Sequence, residues 1–155
     1  MTEFSDLLLP GAVVADLAVS AKKPLFQQIG MIAGSAYALD PVTVTDALSA
    51  REKLGSTGFG GGVATPHGRI DGLPHVVGIF TRLAHAIDFR AVDDLPVDII
   101  FTLLSPPDAG AAHLKALALV SRSLRDRALV AKLRGAGSPD ALYALFSTGE
   151  ARDAA

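Results

Sequence analysis

Cysteine is absent from this chain, which removes both a disulfide framework and any thiolate metal site. Charge is scarce too. Only 19% of the 155 residues are Asp, Glu, Lys or Arg, and the formal net charge is −2 with a pI near 6.0. Nonspecific nucleic-acid binding needs a cationic face able to displace counterions, and this balance gives no case for one. The chain also lacks long apolar runs at its start. Met1 to Asp6 is acidic, and Leu7-Leu8-Leu9 stops at Pro10-Gly11, so neither a signal peptide nor a membrane span is expected. A cytoplasmic protein that is not membrane-embedded follows by default. No His-Glu-x-x-His occurs and no Gly-Lys-Ser/Thr follows the glycine loop, which argues against a zinc hydrolase and a P-loop enzyme.

What is present reads as one folded domain. Half of the residues are hydrophobic, no segment repeats, and no Pro/Ser/Gly-rich linker divides the chain. A single domain is expected over residues 1–150, with a flexible tail over 151–155 that begins to fray at Gly149. Leu25, Ile29, Ile32, Ala33 and Ala36 recur at helical spacing from Lys22 to Tyr37, with Ser20 as the expected N-cap. A second helix is expected to start after Asp40-Pro41, carry Arg51 in its last turn, and end at Leu54-Gly55. Val76–Phe80 and Val97–Leu104 are apolar runs rich in branched residues, the pattern of buried central strands.

After Pro106-Pro107-Asp108-Ala109-Gly110, the spacing of Leu114, Leu117, Ala118, Ser121, Leu124 and Arg125 predicts a helix with His113 in its first turn. A shorter helix is expected from Ala128 to Leu133. A last one is expected after an N-cap at Ser138, with Pro139 first and Leu142, Leu145 and Phe146 facing inward. Helices before and after a strand-rich middle predict an α/β fold: a single domain with a mixed β-sheet covered by helices.

The chemistry is expected where a side-chain-poor loop ends on one imidazole. Ser56-Thr57-Gly58-Phe59-Gly60-Gly61-Gly62-Val63-Ala64-Thr65-Pro66-His67-Gly68-Arg69 combines glycines, whose bare amides can approach a small anion, with a histidine stiffened by Pro66. Neutral imidazole is a usable nucleophile near neutral pH, so the pairing predicts a phosphoryl acceptor. Of the four histidines, His75 and His85 have no phosphate cradle or acidic partner nearby in sequence. His113, at a helix start, would stay neutral and donate a hydrogen bond to phosphate. Phe59 and Phe89 are possible partner anchors, although Phe89 also fits a core position. Arg122, Arg125, Arg127, Lys132 and Arg134 read either as a docking face or as a solvated helix surface.

The run from Arg51 to Gly58, the following glycines, and Ala64-Thr65-Pro66-His67-Gly68-Arg69 resemble the fructose/mannitol class of enzyme IIA of the phosphoenolpyruvate-dependent phosphotransferase system. Ile87-Asp88-Phe89, Pro96 to Phe101 and His113 to Leu117 extend the resemblance over most of the chain, most closely to the free-standing nitrogen-regulatory branch. Thr65 departs from the aliphatic residue common two positions before the histidine. The resemblance implies that His67 accepts a phosphoryl group on Nε2 from an HPr-like phosphocarrier, with Arg51 and His113 beside it. Ser56, Thr57, Gly58, Gly60 and Gly68 would help bind the phosphate, and no metal or other cofactor is required. Transporter or sensor-kinase targets would read the phosphorylation state. Alternatives are the IIA component of a sugar permease that passes phosphate to a separate IIB, or a noncovalent regulatory module of the same fold.

Overall fold

The computed structural model describes residues 2–147, so the expected tail lies outside the described residues. Its mixed sheet of six strands, β1 (Leu8–Leu17), β2 (Gly58–Gly60), β3 (Val63–Ala64), β4 (His67–Arg69), β5 (Val77–Ile87) and β6 (Val97–Ser105), follows the order β1-β5-β6-β3-β2, with β4 also paired to β6. The two apolar runs become the long antiparallel pair β5 (Val77–Ile87) and β6 (Val97–Ser105), in register at Phe80↔Phe101 and Arg82↔Ile99. Ile99, Ile100, Phe101, Leu103 and Leu104 are all 0% exposed, as expected of a strand covered on both faces. Phe89 belongs to the same core and is not a surface anchor.

Four of the six strands, all but β5 and β6, are not foreseen by the sequence pattern, and β1 is the longest of them. β1 (Leu8–Leu17) runs straight through Pro10-Gly11 and pairs in parallel with β5. Pro10 is tolerated because β1 is an edge strand, where a missing N–H leaves no partner unsatisfied, and the ladder shifts register between Leu8 and Val13. A four-residue helix, α1 (Phe4–Leu7), precedes it and buries Phe4 against Phe101 and Phe146.

Helix α2 (Lys22–Tyr37) has the expected span, but Ala21 rather than Ser20 occupies the cap position and no side chain caps it. Tyr37 ties its last turn to the sheet by donating to the Gly78 carbonyl at 2.7 Å and accepting from Leu9 N at 3.2 Å. Helix α3 (Pro41–Glu52) starts as its sequence requires: Asp40 accepts from Thr43 N, and Pro41 fills the first turn, where no N–H is needed.

Helix α4 (Ala111–Leu124) forms as expected with a rotated face. His113, Ala116, Leu119, Val120, Ser123 and Leu124 are buried, whereas Leu114 is exposed. The stripe of leucines alone misses this rotation because His113 and Ser123 are polar members of the inward face. α5 (Arg127–Gly135) and α6 (Pro139–Ser147) complete the cover, and Ser138 Oγ accepts from Ala141 N at 3.1 Å. Leu142 and Phe146 are buried, and Leu145 is half-buried.

Candidate functional site

The edge beside β6 is built from two short strands. β3 (Val63–Ala64) pairs in parallel with Ile99 and Ile100, and β4 (His67–Arg69) resumes the same alignment at Leu103, Leu104 and Ser105. Pro66, which lacks an N–H, stands between them and contributes only its carbonyl, to Leu103 N at 3.0 Å. This break turns His67 to the open end of the edge. Helix α3 packs on β4 at Gly68, where an added Cβ would stand 3.1 Å from the Ala47 Cβ. Arg51 lies one helical turn beyond Ala47 on the same face, so the close approach that Gly68 permits sets Arg51 beside His67.

The resulting bonds fix the state of the His67 ring. Its Nδ1 lies 3.0 Å from the Thr65 carbonyl, which can only accept, so Nδ1 carries the proton. Nε2 then keeps its lone pair, and Arg51 donates Nε–H to it at 3.2 Å. The Arg51 Nη1 also donates to the Gly55 carbonyl at 2.8 Å, which anchors the guanidinium at the end of α3. Among the described residues its other N–H groups meet no protein acceptor. Thr65 therefore serves this ring through its backbone, which explains why the side-chain type two positions before the histidine does not control the geometry.

His113 faces His67 with ring centroids 5.5 Å apart. Its pKa is lowered to about 4, first by burial and then by electrostatic interaction with Arg69 and His67 nearby. It is a neutral imidazole at physiological pH. A cavity of about 440 Å³ opens here, lined by Ala47, Ala50, Arg51, Leu54, His67, Gly68, Arg69 and His113. It contains two guanidinium groups and no carboxylate, so its field favours an anion. Arg69, which sequence reasoning did not single out, is held by donation to the Pro106 carbonyl at 3.2 Å. Its signal was its position two residues after His67 on one strand, hence on the same face.

The other expected phosphate-binding residues do not all meet at this cavity. Ser56 Oγ donates to the Phe89 carbonyl at 2.8 Å and accepts from Gly58 N at 3.1 Å. Thr57 gives both its N–H and its hydroxyl to Glu52, at 3.0 and 2.7 Å. These two hydroxyls brace the loop from within. Gly60 ends β2 (Gly58–Gly60) in a hairpin at the opposite end of β6, where Gly60, Gly61 and Gly62 all have positive φ. The Gly61 amide goes to Asp93 at 2.9 Å, and the Gly62 carbonyl accepts from Asp98 N and Ile99 N. The glycines thus turn the chain into the sheet, and only Gly68 reaches the cavity.

His75 and His85 are both exposed and away from the cavity lining. Of the late basic cluster, Arg134 forks onto Asp98 at 2.8 to 3.2 Å, and Arg125 lies over the Phe59 ring at 5.4 Å. That occupies Phe59 within the chain. Among the described residues no group of three or more His, Asp and Glu is placed to hold a metal ion, and no helix is long and apolar enough to cross a membrane.

The mixed α/β sheet thus presents one imidazole, unprotonated at Nε2, in a cavity lined by two arginines and no carboxylate. Residues 6–149 match the family described as phosphoenolpyruvate-dependent sugar phosphotransferase system, EIIA 2, and the chain belongs to that family. It is 41% identical over 143 residues to the nitrogen regulatory protein of Bradyrhizobium diazoefficiens, covering 92% of this chain and 94% of the relative. The crystal structure of nitrogen regulatory protein IIA-Ntr from Neisseria meningitidis superposes with a TM-score of 0.86 at 35% identity, over 92% of this chain and 97% of that one. The fold is shared by enzyme IIA of mannitol from Escherichia coli, solved in complex with its phosphorylated enzyme IIB, at a TM-score of 0.74 and 18% identity, over 92% and 99% of the chains.

Proposed function

We propose that this protein is a phosphoryl-carrying regulator, in which Nε2 of His67 takes a phosphoryl group from the phosphohistidine of an HPr-like carrier and partners read the result. The observation that carries this reading is the state of the His67 ring: Nδ1–H is committed to the Thr65 carbonyl, and the Nε2 lone pair faces a cavity with two arginines. In the transfer, the donor's P–N bond breaks as the Nε2–P bond forms. The imidazole loses no proton in that step because Nε2 carried none. Arg51 releases Nε2 and turns its N–H groups to the phosphoryl oxygens, while His113 donates to them from the other side. Such transfer needs an in-line nucleophile and neutralised oxygens rather than covalent help, and the arrangement supplies both.

A phosphoryl group adds roughly −1.5 to −2 charges. Here it would cancel the cationic field at the cavity mouth, whose lining includes the exposed Leu54. An exposed apolar side chain beside a positive charge that is neutralised on phosphorylation is suited to a partner that distinguishes the two forms. The relatives' names, nitrogen regulatory proteins, support regulation over sugar uptake as the output. The cytoplasm, where such carriers act, is the matching compartment.

The test is incubation with phosphoenolpyruvate, enzyme I and an HPr-like carrier, followed by mass spectrometry under alkaline conditions. Wild type should gain one phosphoryl group at His67 and His67→Ala none. Equal labelling of both would end this reading. Passage of the label to a IIB protein would move the output from regulation to sugar transport.

A further inference from the structure

In the parallel pairing of β4 with β6, His67 lies opposite Leu103 and Arg69 opposite Ser105. Side chains alternate along strands, and residues opposite one another share a face. Ser105 therefore lies on the same face of the sheet as His67, the face that His113 approaches from α4. Ser105 is 0% exposed, and its Oγ lies 2.6 Å from Nδ1 of His113. Its carbonyl accepts from Ile70 N at 2.8 Å, so the ladder holds the backbone and only the hydroxyl can rotate.

A neutral imidazole has one N–H, and two arrangements satisfy a 2.6 Å contact. In the first, His113 donates Nδ1–H to Ser105. The buried Ser105 O–H is then left without an acceptor among the described residues, and a bare Nε2 lone pair is presented to any anion beside His67. In the second, Ser105 donates O–H to Nδ1. Every proton at the contact is then used, and His113 carries its own proton on Nε2. A buried hydroxyl stranded without an acceptor is the costlier state, so the second arrangement wins.

We propose that Ser105 is a positioning residue, whose buried hydroxyl locks His113 as the Nε2–H tautomer. The pocket then pairs one ring that can only receive a phosphoryl group with one that can only donate a hydrogen bond to it. His67 is set by a main-chain acceptor and His113 by a side-chain donor. The tautomer follows from the geometry alone, whereas its use in transfer rests on the function proposed above.

The experiment is long-range proton–nitrogen correlation NMR of the imidazole rings in the unphosphorylated full chain near neutral pH, beside phosphoryl uptake from phosphoenolpyruvate, enzyme I and the carrier. Wild-type His113 should show a protonated Nε2 and a pyridine-like Nδ1. Ser105→Ala should shift the ring toward Nδ1–H and slow uptake roughly three- to tenfold, and Ser105→Thr should restore both. A wild-type spectrum with the proton on Nδ1, or a Ser105→Ala protein unchanged in tautomer and rate, would overturn the proposal. If Ser105→Ala fails to fold, the wild-type spectrum alone decides. If wild type takes no phosphate, the functional reading falls and the spectrum still decides the tautomer.

Discussion

Arg51 donates its Nε–H to the Nε2 of His67 across 3.2 Å, and so occupies the lone pair that a phosphoryl group would take. This contact must open before the Nε2–P bond can form, and the Gly55 carbonyl bond to Nη1 keeps the guanidinium close while it does. Arg51→Ala should slow phosphoryl uptake about 100-fold, the scale on which one preorganised donor acts on developing charge. Arg51→Lys should fall between, because an ammonium supplies charge without the planar fork. Rapid-quench labelling measures both. An alanine variant as fast as wild type would remove Arg51 from the transfer.

His113 makes stability depend on pH with a definite sign. Its pKa is about 4 in the folded chain against an ordinary 6.5, with burial the first cause and electrostatic interaction with Arg69 and His67 behind it. Between those values the unfolded chain binds a proton that the folded chain refuses. Stability is therefore complete above about 6.5 and declines as pH falls toward about 4. The whole shift would amount to about 3 kcal/mol, which the solvated cavity mouth reduces to roughly 1–2 kcal/mol. His113→Gln should flatten this part of the curve, as followed by urea unfolding at several pH values. An unchanged slope would show that His113 does not carry it.

The site was legible where position along an element decides geometry, and less so where folding decides it. His67, Arg51 and His113 could be named because a proline-flanked loop end, a helix C-terminus and a helix start are visible as local patterns, and the family resemblance joined them. Ser56, Thr57 and Gly60 could not be sorted the same way. Whether a hydroxyl faces a cavity or braces its own loop depends on Glu52 and Phe89, which the fold brings to it. Strand β1 was hidden because Pro10-Gly11 reads as a stop unless the strand is known to lie at an edge. Ser105 was hidden because only the register of β4 on β6 puts it beside the histidines, whereas Arg69 was within reach of the alternation that places it on the face of His67.

Glu52 is the brace behind the site. Its carboxylate accepts from Lys22 Nζ at 2.9 Å, from Thr57 N at 3.0 Å and from Thr57 Oγ1 at 2.7 Å, and its side chain is only 6% exposed. These bonds tie α2, the end of α3 and the loop into β2 together. Glu52→Ala strands an amide, a hydroxyl and a half-buried ammonium, and should cost about 2–4 kcal/mol. Glu52→Gln keeps acceptor capacity for one Thr57 group and should cost less. Thermal unfolding ranks the three proteins, and an alanine variant as stable as wild type would show that the carboxylate bonds contribute nothing.

Gly30 controls how closely α2 and α3 approach, and hence where Arg51 sits. A Cβ at this position would stand 2.5 Å from the Pro41 carbonyl oxygen and 2.7 Å from Thr45 Oγ1. The first obstacle is the backbone of α3, which can retreat only by moving the whole helix away from β4. Alanine in place of glycine gains up to about 1 kcal/mol of helix propensity, but overpacking costs roughly 1–3 kcal/mol, so the clash should win. Gly135 provides the opposite case: it closes α5 with nothing within 4 Å of an added Cβ. Gly135→Ala should therefore melt at or slightly above wild type and Gly30→Ala below it. Gly30→Ala should also take up phosphate more slowly, because a displaced α3 carries Arg51 off His67. A Gly30→Ala protein with wild-type melting and uptake would show that the spacing of the two helices does not set the site.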